Sequence, residues 1–133
     1  MKKRLFILTS LVFTLSFCHA QSTEKRVFFY RIKSPNSSLI PTKLSINGQI
    51  IVFTNDSQKI LLLQTDSIKI DVVKKNLRKT SHIEEALKND DNYFIIHPKQ
   101  LDNTLIEVFV VEQVCKECYE DRIAKSKKIP RHQ

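Results

Sequence analysis

Lys43 to Val73 reads KLSINGQIIVFTNDSQKILLLQTDSIKIDVV, and this stretch decides the fold class. Asn47-Gly48 sits between two arms of alternating apolar residues. A two-residue type I′ turn needs positive φ at both central positions, which Asn and Gly tolerate best. Such a turn pairs Ile46 with Gln49, Leu44 with Ile51 and Thr42 with Phe53. Leu44, Ile46, Ile51 and Phe53 then share one face, because side chains alternate along a strand. Asn55-Asp56-Ser57 predicts the next turn. Ile60 to Leu63 is apolar on both faces, as expected of a strand covered on both sides. After Thr65-Asp66, Ile68, Ile70 and Val72 point inward while Lys69 and Asp71 point outward.

Working outward toward the N-terminus, Pro41 cannot donate a ladder bond and marks a strand start or edge. Val27 to Lys33 reads as a first strand, with Phe28, Tyr30 and Ile32 on one side and Arg31 and Lys33 on the other. Residues 1–20 read as a secretory signal peptide. Lys2, Lys3 and Arg4 are its positive start, Leu5 to Phe17 its apolar run, and Cys18-His19-Ala20 its cleavage site. The expected location is therefore periplasmic or secreted. A lipoprotein anchored through acylated Cys18 is the rival reading.

Toward the C-terminus, Ser81-His82-Ile83-Glu84 matches a capping box and predicts a short helix over about 81–88. Tyr93 to His97 reads as a strand stopped by Pro98. Leu105 to Val111 reads as another strand, in mid-sheet or covered by the segment that follows. Val111, Val114, Cys115, Cys118, Tyr119 and Ile123 recur at helical spacing, which predicts a helix over about 113–125. The expected fold is mainly β: an antiparallel β-sandwich of about seven strands with these two helices. It occupies 21–126 as a single domain, and 127–133 forms a basic flexible tail.

The chain carries 22 Lys+Arg against 14 Asp+Glu, a formal charge of +8. The body from 21 to 121 balances acid against base. The excess outside the signal segment lies in Arg122, Lys125, Lys127, Lys128 and Arg131. A basic balance confined to a tail argues against a nucleic-acid-binding fold. It suits either contact with an anionic surface or a solvated end.

Cys115-x-x-Cys118 is the one pair with reactive spacing. A local disulfide is the first reading, and plain packing on an inner helix face the second. A redox pair at a helix start would use the helix N-terminus to hold a thiolate. Half of a zinc site would need two further ligands, for which His97 and His132 are the candidates. His82 and His97 stand alone, and Glu84-Glu85 and Asp90-Asp91 read as solvation and capping. The only glycine is Gly48, which excludes a glycine-rich phosphate loop, and no cofactor is expected.

Tyr30-Arg31, then Leu44 to Gln49, then Ile68 to Val72, resemble the small exported β-sandwich domains called DUF2846 and their PEGA-like relatives. The shared features are a "YR" strand, a "v-x-I-N-G" hairpin and a later strand that closes the sheet. The resemblance covers about residues 27–73. Thr65-Asp66 stands where such domains often carry a Pro-Gly turn. The resemblance implies an envelope-associated binding or accessory domain without catalysis, and it assigns no functional residue. The expected function is thus an exported, non-enzymatic module that binds a protein or an envelope polymer. The alternatives are thiol-based redox or metal chemistry at Cys115 and Cys118, or an inhibitor or immunity-type partner of a secreted enzyme.

Overall fold

The computed structural model describes residues 24–34, 40–73, 82–100 and 107–129. Among them are eight strands and one helix. The strands are β1 (Lys25–Arg31), β2 (Thr42–Ile46), β3 (Gln49–Phe53), β4 (Gln58–Leu63), β5 (Ser67–Val72), β6 (His82–Ala86), β7 (Asp91–Gln100) and β8 (Glu107–Val114), and the helix α1 is Lys116–Lys127. One sheet has the order β4-β1-β7-β8 and the other β3-β2-β5-β6. Residues 1–20, read as a signal peptide, the tail residue Arg131 and His132 lie outside the described residues.

The hairpin forms in the expected register: Ile46 opposes Gln49, Leu44 opposes Ile51 and Thr42 opposes Phe53. Asn47 and Gly48 adopt φ values of 49° and 85°. Asn47 also fixes the turn against β5, since its Oδ1 accepts from the Lys69 amide at 2.9 Å. Leu44, Ile46 and Phe53 are buried and Ile51 packs against them. Across the sandwich they meet Val27, Phe29, Phe94, Ile96 and Val111 of the other sheet. Phe29 stacks on Phe94 at 5.2 Å and tilts against Phe53 at 5.6 Å, which ties the two sheets together. Ile68, Ile70 and Val72 point inward as their alternation predicts.

Five expectations about the elements and their pairing are corrected. First, His82–Ala86, within the short helix expected over about 81–88, is the strand β6. Glu84 opposes Lys69 and His82 opposes Asp71 across β5. The 2.6 Å His82–Asp71 contact and the 4.0 Å Lys69–Glu84 contact line its outer face. Ile83 and Leu87 satisfy helical spacing equally well, but the backbone of β5 needs a neighbour on that side, and a strand supplies it. Second, α1 starts at Lys116 rather than near 113, because Gln113 and Val114 still pair with Phe94 and Tyr93 in β8. It ends at Lys127, and Lys128 is its C-cap.

Third, the β1–β7 pair is parallel within an otherwise antiparallel sandwich. The chain leaves this sheet after β1 and after β4, and returns each time from the other sheet. Fourth, Pro98 does not stop β7, which continues to Gln100. The Ile96 carbonyl accepts from Ile32 on the β1 side at 2.9 Å. Alternate residues aim their backbone groups the same way, so Pro98 turns its nitrogen toward that side, where β1 has already ended. Fifth, β8 is an edge strand rather than a mid-sheet one, with Val114 covered by α1, and β4 is the opposite edge with one face open. Leu61 and Leu63 pack on the core, while Ile60 and Leu62 on the other face of β4 are 53% and 60% exposed.

The first strand is buried on both sides. Val27 and Phe29 enter the sandwich core, and Phe28, Tyr30 and Ile32 join a second cluster beneath α1. Arg31, expected to point outward, is 0% exposed. Its Nη1 donates to the Ile40 and Phe53 carbonyls at 2.8 and 2.9 Å, and its guanidinium lies 4.5 Å from the Phe109 ring centre. Those contacts replace the hydration that a buried guanidinium gives up.

Candidate functional site

The helix is placed by aromatic packing on the outer face of the β1–β7 sheet. Tyr119 is 3% exposed and meets the rings of Phe28, Tyr30 and Tyr93 at 6.5, 6.4 and 5.1 Å. The Gln58 amide donates to the Tyr119 hydroxyl at 3.1 Å. At the far end of the helix, Ser126 Oγ accepts from the Lys33 amide at 2.8 Å. These anchors leave the first turn of α1 standing beside the starting end of β7 and the finishing end of β8.

A cleft of about 380 Å³ opens at that junction. Asn89, Asn92 and Tyr93 form one wall, and Gln113, Cys115 and Lys116 form the other. Asn92 is 2% exposed. Its Nδ2 donates to the Asn89 carbonyl at 2.8 Å, while its Oδ1 is buried without a hydrogen-bond partner among the described residues. A buried acceptor in that state costs free energy that an incoming donor would recover. Asp91 also lines the cleft and is held in a bidentate pair with Arg26 at 2.6 and 2.9 Å. That pair raises the Arg26 pKa further above its ordinary value.

Cys115 and Cys118 form a disulfide with their Cα atoms 5.1 Å apart. Of the readings open to the spacing, the local disulfide is the one the structure adopts. Packing on an inner face is not: both residues are exposed, and Tyr119 is the buried residue of that turn. Cys115 is the N-cap of α1 in an extended conformation, and its Sγ accepts from the Cys118 amide at 3.1 Å. Sulfur thus replaces the oxygen that Ser, Thr, Asp or Asn would supply to an orphan helix amide.

The other candidates do not converge on this pair. His97 Nε2 lies 3.5 Å from Glu112 Oε2. His82 lies against Asp71 and Glu84 on the other sheet. Among the described residues no three His, Cys, Asp or Glu side chains gather as a metal-ligand set. Arg122, Lys125, Lys127 and Lys128 are exposed along and after α1, and Lys125 pairs with Asp121 at 2.7 Å. No helix among the described residues is long and apolar enough to cross a membrane.

Tyr30 is a polar group that strand periodicity alone misses. Its hydroxyl donates to Asp56 Oδ1. Burial first, and the Asp56 bond second, push the phenol up to about 12. Burial also raises the Tyr119 phenol, against an opposing pull from Gln58. The Tyr30 pKa is higher folded than unfolded, where it is near 10, so its contribution is fully present below about pH 10 and is lost as pH rises toward 12. Urea unfolding should therefore weaken by on the order of 2 kcal/mol over that window, relative to a Tyr30→Phe control. Parallel pH profiles for the two proteins would contradict this.

Asn92 gave no sequence signal, since an asparagine beside Asp90-Asp91 reads as a loop residue. No protein-family model matches the chain, and neither does any curated protein or solved structure.

Proposed function

We propose that the chain is an exported binding module that takes an extended segment of another protein along β4. The observation that supports this reading is the outer row of that edge strand, where Ile60 and Leu62 stand 53% and 60% exposed. An edge strand offers backbone donors and acceptors to an added strand, and alternate side chains set its specificity. The incoming strand needs apolar residues opposite Ile60 and Leu62. It also needs an acidic residue near Lys59, which is exposed on the same strand. A second copy fits less well: antiparallel pairing of two copies about Leu61 sets Lys59 against Leu63. Export, through the segment read as a signal peptide, puts such partners in the cell envelope or outside it.

A photo-crosslinking residue at position 60, in the native envelope fraction, would identify the partner segment. A synthetic peptide of that segment should bind the purified protein, and Leu62→Lys should weaken binding at least about tenfold. Losing a buried leucine contact and adding a charge supports at least that factor. Leu62 is exposed, so the variant should keep its unfolding midpoint. Unchanged peptide binding by Leu62→Lys, or a dimer by light scattering with crosslinks only to a second copy, would refute the reading.

A further inference from the structure

We infer that the Cys115–Cys118 disulfide exchanges with cysteine thiols of an extended polypeptide seated in the adjoining cleft. This site lies at the strand ends beneath the first turn of α1 and is independent of the binding edge on β4. Three observations carry it together.

The first is access. Both cysteines are exposed, whereas a disulfide that only braces a fold is commonly covered. Cys115 lines the cleft of about 380 Å³ and Cys118 does not, so a thiolate in the cleft meets the Cys115 sulfur. The second is preparation for charge. The Cys118 amide already donates to Cys115 Sγ at 3.1 Å, and the pair occupies the N-terminal turn of a 12-residue helix. Lys116 adds a cation to the cleft wall, where the one carboxylate, Asp91, is already paired with Arg26. The Cys118 amide favours the Cys115 thiolate that the second step expels, and the helix N-terminus and Lys116 favour a thiolate in this turn. The third is an unmet acceptor. Asn92 lines the cleft, is 2% exposed, and has a buried Oδ1 without a partner among the described residues. A peptide N–H is the donor that would fit it. Gln113 and Asn89 add side-chain amides that suit a polypeptide backbone.

The exchange balances as a two-electron transfer. A thiolate of the bound chain attacks Cys115 Sγ. The Cys115–Cys118 bond breaks, a mixed disulfide forms at Cys115, and Cys118 leaves as a thiolate within the first helical turn. A second thiolate of the bound chain attacks its own sulfur in the mixed disulfide and expels Cys115. The substrate is oxidised to a disulfide, and Cys115 and Cys118 become a dithiol that takes up the two protons the substrate lost. A second disulfide, on a protein or a small thiol compound, serves as the electron acceptor that restores the pair.

The test uses the full chain with an extended octapeptide carrying two cysteines as probe, and reduced glutathione as a thiol too small to span the cleft. The peptide should reduce the disulfide at least tenfold faster per thiol than glutathione. With a one-cysteine version of the peptide supplied as its mixed disulfide with thionitrobenzoate, Cys118→Ser should accumulate a peptide adduct on Cys115 as thionitrobenzoate leaves, and Cys115→Ser should form at least tenfold less on Cys118. Lys116→Glu, an exposed change that leaves the core intact, should slow the peptide reaction several-fold. Equal rates for peptide and glutathione, or equal adducts on the two single-cysteine variants, would show a disulfide that only staples the helix start and would overturn the inference.

Discussion

Arg31→Ala is expected to cost about 3 kcal/mol or more of unfolding free energy. The side chain is fully buried and donates to the Ile40 and Phe53 carbonyls. Truncation leaves two acceptors short of a donor, at roughly 1–3 kcal/mol for each that stays buried. It also opens a void against Phe109, whose ring the guanidinium covers at 4.5 Å. A loss of that size is a large fraction of the total stability of a domain this small. Arg31→Lys should not rescue it, because a single ammonium cannot reproduce the planar fork or the ring contact. Urea titration measures both variants. A midpoint for Arg31→Ala within error of the parent would mean that the guanidinium is dispensable and that this account of its burial is wrong.

Tyr119→Ala should be the second large effect, at about 3 kcal/mol, with a structural signature that Arg31→Ala lacks. The ring is the centre of the small cluster that docks α1, against Phe28, Tyr30 and Tyr93. Large-to-small changes at such a site cost about 3–5 kcal/mol. The sandwich core is a separate cluster formed by both sheets, so the sheets should stay folded while the helix lifts. Limited proteolysis with trypsin should then cut at Arg122 and Lys125 at concentrations that leave the parent intact. Tyr119→Phe keeps the ring and loses only the hydroxyl that accepts from Gln58, a change of about 1 kcal/mol. Resistance of Tyr119→Ala to trypsin would show that something other than this ring holds the helix. The same variant bears on the cleft, since a lifted helix carries Cys115 and Lys116 away from Asn92.

Sequence alone determined the features that depend on torsions and on short repeats. Asn47-Gly48 accepts positive φ, so the hairpin and its register follow from two residues. Ile68, Ile70 and Val72 alternate cleanly, so their burial follows from period two. Two cysteines three residues apart can close a local disulfide, and they do. Only the tertiary structure decided what depends on a neighbour distant in the chain. Ile83 and Leu87 suit a helix or a strand, and the open side of β5 chose the strand. Ile60 to Leu63 looked covered on both faces, and its place at a sheet edge exposed one of them. Arg31 looked solvated because arginines usually are; the carbonyls that bury it belong to Ile40 and Phe53, and the ring to Phe109. The cleft arises because β7, β8 and α1 finish at one corner, a coincidence of chain ends that no local pattern encodes.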